Sequence, residues 1–294
     1  MKRQYYKVAE QIFAFCTPDT DTRPYLPSFQ PFEYEPKDDE SPLFTLTIDD
    51  AFRPADKGET IGEFDCGGAD FNVYRQAGGG YLFFIAPPGG DFCGMLQTDA
   101  LFQNSTLALR GSDWARAFAA NNAMMLMFAF STADRNTLLF HSSVVENDGH
   151  GYLFLGKSGT GKSTHSSLWL KHIAGSELMN DDNPVVVAHE NGAVIYGSPW
   201  SGKTPCYRNV SAPIGAFVRI VQEKVNHIER DDTLQAFSSL LPSVSSMKWD
   251  DRVYNGICDS IALLIEHVPC FTLGCRPDKE AADVCYAAVK VTEE

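Results

Sequence analysis

The sequence predicts a mixed α/β protein, in which a domain built around a glycine-rich loop follows a small, mostly antiparallel β domain. Three observations predict this class. Residues 152–155 form an apolar run typical of a buried strand, and a glycine-rich segment and a helical pattern follow it. Residues 1–110 hold short apolar runs between turn clusters of Gly and Pro, whereas residues 111–294 mix strand and helix patterns. We therefore place a domain boundary near residue 110.

In the first part, strands are predicted at residues 44–48, 71–74, 81–85 and 106–109, and no function follows from their sequence. The second part is predicted to open with a buried connecting helix at residues 112–131, which is too short and too polar to span a bilayer. Further strands are predicted at residues 185–188, 193–196 and 216–221. Further helices are predicted at residues 233–241, 251–267 and 278–289.

Residues 156–163 read Gly-x-x-x-x-Gly-Lys-Ser, the pattern of a phosphate-binding loop between a strand and a helix. Glycine permits the tight turns that turn backbone N–H groups toward phosphate oxygens at a helix N-terminus. Lys162 is expected to reach the β- and γ-phosphates, and Ser163 to complete a Mg²⁺ shell. The residues expected to contact the triphosphate are Gly156, Lys157, Ser158, Gly159, Thr160, Gly161, Lys162, Ser163 and Thr164.

An acidic pair, Asp181 and Asp182, begins 19 residues after Lys162. The interval holds one helix, a turn and a brief strand, so we expect a βαβ unit that returns the chain beside the first strand. One aspartate would hold Mg²⁺ and the other would accept a proton from an incoming hydroxyl, with the assignment left open. The alternative interpretation is a polar turn before the next strand.

His141 lies in an apolar strand pattern, at residues 138–145, one turn before the strand that precedes the glycine-rich loop. If the two strands are neighbours, His141 lies near the phosphates as a metal ligand or a phosphate contact. The alternative is a hydrogen-bonded core histidine.

These three segments together, His141-Ser-Ser, Gly156 to Thr164 and Asn180-Asp-Asp182, resemble the catalytic core of the HPr kinase/phosphorylase and phosphoenolpyruvate carboxykinase superfamily. The resemblance covers residues 138–187 and implies a P-loop domain of that type. In the carboxykinases the matching His and an Asp bind a second metal ion. In the HPr kinases the matching aspartates serve magnesium binding and proton transfer. Thr164 stands where HPr kinases usually carry an acidic residue, and the signature segments that identify an acceptor are missing.

Two further segments carry cationic candidates. The loop at residues 199–209 displays Trp200, Lys203 and Arg208, which can close over a phosphate or an acceptor, and Arg208 would then stabilise charge on the transferring phosphoryl group. The alternative is a surface loop with solvated cations and a packing Trp. Arg276 lies at a predicted strand end.

The formal net charge of -14 argues against binding to nucleic acid or to an anionic membrane. The eight Cys residues include no Cys-x-x-Cys pair, and no targeting segment is convincing, so we expect reduced thiols and a cytoplasmic protein. The predicted function is an ATP- and Mg²⁺-dependent kinase. Its acceptor is a protein or small-molecule hydroxyl, and formation of a homo-oligomer stays open. The alternatives are a nucleotide- or phosphate-sensing regulatory protein without transfer and, less favoured, a carboxykinase-like or phosphorylase activity.

Overall fold

The computed structural model describes residues 1–19, 21–65, 68–202 and 204–291, with the backbone alone for Asp65. The chain divides into two compact units, Met1–Ser131 and Thr132–Glu294. Each unit combines a large sheet with at least one helix, and strands outweigh helices in the first unit. The protein therefore belongs to the mixed α/β class.

The first unit is built on a nine-stranded sheet. Its strands are β1 (Lys2–Val8), β2 (Gln11–Thr17), β3 (Glu33–Tyr34), β4 (Thr45–Ile48), β5 (Glu59–Asp65), β6 (Asp70–Arg75), β7 (Tyr81–Ala86), β8 (Gly94–Thr98) and β9 (Asn104–Leu109), with a short 3-10 helix at Pro27–Phe32. They lie in the order β3-β1-β2-β4-β9-β8-β7-β6-β5. Neighbouring strands are antiparallel except for the parallel pairs β2–β4 and β4–β9.

Helix α1 (Asp113–Ser131) belongs to the first unit, whereas the sequence places it at the start of the second. The helix packs on β7, β8 and β9. A Cβ on Gly94 of β8 would lie 2.7 Å from Ala119 Cβ, so small residues on both elements permit the close approach. Among the described residues, no helix combines the length and the apolar character that crossing a bilayer requires.

The second unit is built on another sheet. Its strands are β10 (Thr137–Leu139), β11 (Ser142–Asn147), β12 (His150–Leu155), β13 (Glu177–Asp182), β14 (Val185–His189), β15 (Gly192–Tyr196), β16 (Ser211–Gln222), β17 (His227–Arg230) and β18 (Cys270–Cys275). Its helices are α2 (Lys162–His172), α3 (Thr233–Leu240), α4 (Asp251–His267) and α5 (Lys279–Val289), with a 3-10 helix at Leu241–Ser243. The strand order is β10-β14-β15-β16-β12-β11-β13, and β18 joins β16 to β17.

The position of β13 corrects one prediction. The sequence predicts that β13 returns directly beside β12, but β11 lies between them and is antiparallel to both. Strands β12, β16 and β18 are parallel neighbours in that order. The chain therefore crosses over one strand position through α2, and the local βαβ pattern carries no information about the hairpin strand that fills the gap.

The core around α2 depends on Trp169, which is fully buried. Its ring lies 5.0 Å from that of Tyr152, 5.4 Å from that of Phe154 and 5.5 Å from that of Tyr286, measured between centroids. These contacts join α2 to β12 and to α5. They fix the helix that begins at the glycine-rich loop, because aromatic pairs of this kind add to the free energy of burial.

The buried stripe of α4 provides a test of the second unit's core. The structure buries Val253, Ile257, Ile261 and Leu264, the stripe that the helical spacing predicts. We expect Ile261→Ala to lower the free energy of unfolding by about 2–5 kcal/mol, because it leaves a cavity in a packed interior. The control Leu234→Ala, on the exposed side of α3, should change it by at most about 0.5 kcal/mol. Denaturant unfolding measures both, and equal midpoints for the two variants would contradict the assigned packing.

Candidate functional site

The glycine-rich loop joins the end of β12 to the start of α2. Gly156, Gly159 and Gly161 have φ values of 143°, 82° and 108°, a region that residues with a Cβ rarely adopt. Gly161 is the N-cap residue of α2, and no side chain caps the helix there. The first N–H groups of α2 are therefore open to an anion, and the helix dipole favours negative charge at this end.

Side chains hold the outer surface of the loop. Thr160 Oγ1 donates to the Lys157 carbonyl at 2.8 Å, and Gln222 Nε2, from the end of β16, donates to the Gly159 carbonyl at 3.2 Å. A Cβ on Gly156 would lie 2.6 Å from Thr160 Oγ1. Glycine at position 156 thus permits both the positive φ and the approach of Thr160.

Lys162 places its ammonium group at the base of the loop. Nζ donates to the Gly156 carbonyl at 2.9 Å and lies 3.0 Å from His141 Nε2. Burial lowers the pKa of Lys162, and the nearby carboxylates of Asp182 and Asp181 oppose that shift. A partly desolvated ammonium group interacts strongly with an anion because little water competes for it.

His141 connects Lys162 to the acidic pair. Its backbone N–H donates to the Ser243 carbonyl at 2.6 Å, which fixes the residue between β10 and β11. Nδ1 lies 2.9 Å from Asp182 Oδ1, while Nε2 faces the ammonium of Lys162. An ammonium group only donates, so Nε2 accepts and Nδ1 carries the hydrogen that is donated to Asp182. The result is a continuous chain of contacts from Asp182 to the loop.

The two aspartates contact the loop from different directions. Asp181 is buried, and its Oδ1 accepts a hydrogen bond of 2.8 Å from Ser163 Oγ on α2. Asp182 keeps 33% of its side chain exposed. In the β11–β13 register, Ser143 pairs with Asp181 and Ser142 with Asp182, and successive strand residues point to opposite faces. The alternation of side chains along β13 therefore directs Asp181 toward Ser163 and Asp182 toward His141.

The donor set fits a hard cation. Ser163 Oγ and the Asp181 carboxylate supply adjacent oxygens, the ligand type that Mg²⁺ prefers. Within the described ranges, no group of three or more His, Cys, Asp or Glu side chains is arranged to hold a metal ion.

Residues 197–202 and 204–208 pack along the outer edge of β13. Asn180, fully buried, donates through Nδ2 to Ser198 Oγ at 3.2 Å and to the Trp200 carbonyl at 3.3 Å. The Gly202 N–H donates to the Asp181 carbonyl at 3.0 Å. Trp200 is buried rather than displayed, because the segment is bonded to the strand. This loop is thus part of the wall of the site.

Arg208, the cationic candidate from the segment that follows β15, makes its contacts away from the glycine-rich loop. Arg208 donates to the Leu178 carbonyl at 2.7 Å and pairs with Glu177 at 2.9 Å. At the usual rise of a strand, Leu178 lies about 13 Å from Asp182. Lys203 lies outside the described residues. The structure therefore unites the candidates Lys162, Ser163, His141, Asp181 and Asp182, but not Arg208.

Lys157, Ser158 and Thr164, three of the expected phosphate contacts, have exposed side chains along the loop and the first turn of α2. Arg276 pairs with Asp278 at 3.0 Å and with Glu280 at 3.3 Å, near the end of β18. Arg276 therefore has carboxylate partners of its own, whereas the contacts of Lys162 described above are to a carbonyl and an imidazole.

Three residues at the site have no role assigned to them from the sequence: Asn180, Gln222 and His165. His165 is buried on α2, accepts a hydrogen bond of 3.1 Å from Trp169 Nε1, and packs edge-on against Phe154. Burial lowers the pKa of His165 to about 4. The spacing of His165 and Trp169 at i and i+4 on a predicted helix was a usable signal, whereas nothing local indicated the partners of Asn180 or Gln222.

Comparison with known proteins does not assign this chain to a family or to a function. No protein-family model matches the chain, and no curated protein sequence is significantly similar to it. Function is therefore inferred from the site itself, where three separate segments of the sequence meet at the carboxyl end of β12.

The contacts of Asn180 predict a large effect of its removal. Asn180→Ala removes the amide N–H groups that donate to Ser198 Oγ and to the Trp200 carbonyl. It also removes the side-chain oxygen that accepts from the Asp182 N–H at 3.0 Å. Loss of these three hydrogen bonds in the interior should lower the free energy of unfolding by about 2–4 kcal/mol, since each contributes about 0.5–1.5 kcal/mol. Asn191→Ala, in the exposed turn between β14 and β15, is the matched control, with an expected change of at most about 0.5 kcal/mol. Indistinguishable denaturation midpoints would show that Asn180 does not hold the loop.

Proposed function

We propose that the second unit is an ATP- and Mg²⁺-dependent phosphotransferase, related to the HPr kinase and carboxykinase P-loop enzymes, that phosphorylates a hydroxyl group. One observation carries the proposal: both aspartates reach the Lys-Ser pair of the loop, Asp181 through Ser163 and Asp182 through His141. Carboxylates repel phosphate unless a cation or a proton lies between them. A loop that only held phosphate would be weakened by these neighbours, whereas phosphoryl transfer requires them.

The triphosphate is bound by the loop and the start of α2. Backbone N–H groups at the uncapped helix N-terminus face the phosphate oxygens, and the positive-φ glycines turn the intervening peptides. Lys162 exchanges its contact with the Gly156 carbonyl for a phosphate oxygen. Because its ammonium is partly desolvated, Lys162 stabilises negative charge that develops on the transferring group.

The geometry favours different roles for the two aspartates. Asp181 and Ser163 would hold Mg²⁺, which supplies charge neutralisation at the β- and γ-phosphates when bound. Asp182 is more exposed, and the hydrogen bond from His141 Nδ1 orients its carboxylate. We therefore assign the general base to Asp182, within reach of an acceptor that approaches from solvent.

The reaction follows from these roles. The acceptor hydroxyl loses its proton to Asp182, and its oxygen forms a bond to the γ-phosphorus of ATP. The bond between that phosphorus and the bridging oxygen breaks, with its electron pair leaving on ADP. Lys162 faces the charge on the transferring group. The products are a phosphate ester and ADP, and the chemistry suits a protein serine or a small hydroxylated metabolite.

We also propose a cytoplasmic location, since ATP supply and free thiols are features of that compartment. The structure gives Cys16, Cys93, Cys206, Cys258, Cys270, Cys275 and Cys285 as free thiols.

Removing the loop ammonium tests nucleotide binding. We expect Lys162→Ala to weaken binding of Mg-ATP by about 100-fold, since a charged hydrogen bond to phosphate contributes about 1.5–3 kcal/mol. Isothermal titration calorimetry with and without Mg²⁺ measures the effect. Lys171→Ala, at an exposed position on the same helix, is the charge-matched control and should bind as the wild type does. Equal affinities of the two variants would refute the assigned phosphate site.

Conservative changes to the aspartates test transfer. ADP formation in long incubations, with water as the acceptor, should fall about 100-fold or more in Asp182→Asn while ATP binding stays within about threefold. Asp181→Asn should instead raise the Mg²⁺ concentration needed for half-maximal rate. Unchanged ADP formation in both variants would contradict the proposed mechanism. Tight ATP binding without any ADP formation by the wild type would identify a nucleotide-sensing protein instead.

A further inference from the structure

A cleft of about 490 Å³ lies next to the glycine-rich loop, on the side of α2 that faces the ends of β16 and β18. Its lining includes Gly159, Thr160 and Gly161 of the loop, so a ligand held by the loop continues directly into it. The volume falls within the range of about 300–1,000 Å³ that is typical of small-molecule sites. The cleft is therefore large enough for more than a chain of phosphates.

The position of the cleft follows from the topology. Strands β12, β16 and β18 are parallel, and they end at Leu155, Gln222 and Cys275. Ligands of open α/β sheets bind in the crevice outside the carboxyl ends of such strands. Here the phosphate loop follows β12, and the cleft occupies the adjoining ends of β16 and β18.

The walls of the cleft differ in character. Leu168, Ile220 and Cys275 provide apolar surface, while Glu223, Lys224 and Arg276 provide charged groups. An apolar wall beside a polar rim suits a planar heterocycle attached to a sugar. Inorganic di- or triphosphate would leave the apolar wall in water, since it has no surface to bury there.

His165 supplies a second, independent observation. The residue lines the cleft, is 2% exposed, and its Nδ1 has no hydrogen-bond partner among the described residues. Trp169 Nε1 donates to Nε2, so Nε2 accepts and the hydrogen of the neutral ring is on Nδ1. A buried N–H group without an acceptor is unfavourable, and an acceptor atom on a ligand in the cleft would relieve it.

From these observations we infer that the cleft binds the nucleoside part of the phosphoryl donor, and that His165 Nδ1 donates a hydrogen bond to its base or sugar. The inference rests on the proposed phosphate site, and it adds to the proposed use of ATP the place where the nucleoside is held. His165 is then a specificity-determining residue, because it distinguishes ATP from inorganic triphosphate without contacting the transferred group.

Calorimetric titration of Mg-ATP and of Mg-tripolyphosphate into the full chain tests the inference. The wild type should bind ATP more tightly by about tenfold or more. His165→Leu and His165→Asn both remove the acceptor of Trp169, but Asn keeps an N–H donor near the position of Nδ1. We expect His165→Leu to reduce the ATP preference about fivefold, with tripolyphosphate affinity unchanged, and His165→Asn to retain the preference.

A second pair of variants tests the cleft without touching its buried histidine. Leu168→Trp should fill the cleft and weaken ATP binding alone. Leu170→Trp, 41% exposed on the same helix, should alter neither affinity. Equal wild-type affinity for the two probes, or an equal loss of both in Leu168→Trp, would overturn the assignment of the cleft. Identical preferences in His165→Leu and His165→Asn would overturn the role of His165. A wild type that binds neither probe would refute the phosphate site itself.

Discussion

The pairing of β11 between β12 and β13 determines where the catalytic candidates lie. Ser143 pairs with Phe154 on one side and with Asp181 on the other, so the hairpin strand sets the distance between the phosphate loop and the acidic pair. Side chains alternate along a strand, and a slip of one residue would exchange the faces of Asp181 and Asp182. Ser163 would then lose its contact with Asp181, and His141 would lose its contact with Asp182. The site therefore depends on sheet register more than on any local motif.

The same arrangement holds partly buried charges that have few partners of opposite charge. The ammonium of Lys162 is partly buried, and its protein partners are a carbonyl and a neutral imidazole nitrogen. The carboxylate of Asp181 is buried against a hydroxyl group. Burying charges is unfavourable unless each is well paired, and the phosphate and Mg²⁺ of the proposed function would complete that pairing. On that proposal, the fold gives up some stability in order to bind both ligands.

Much of the glycine-rich loop could be predicted from the sequence because its parts are local. The strand, the glycine spacing and the helix start are features of twelve consecutive residues, 152–163, and the bounds of α3, α4 and α5 agree with the predicted helices to within one residue. The errors concern distant contacts. The segment 112–131 was assigned to the second domain, yet Ala119 packs against Gly94 of the first unit. Likewise, β13 was expected beside β12, since a βαβ pattern does not reveal that another strand lies between. The partners of Arg208 and Gln222 depend on tertiary packing, which the composition of their own segments does not encode.

The segment formed by residues 197–202 and 204–208 shows how one stretch of chain can serve both stability and the site. Strand β13 ends the sheet, and an open edge would leave carbonyl groups unpaired. Gly202, Cys206 and Arg208 donate to the carbonyls of Asp181, Met179 and Leu178 instead. A Cβ on Gly202 would lie 2.6 Å from the Asp181 carbonyl oxygen, so only glycine allows this approach. Because the segment closes the edge through β13 itself, any displacement of it would also move the two aspartates, and the geometry of the site is tied to the stability of the sheet.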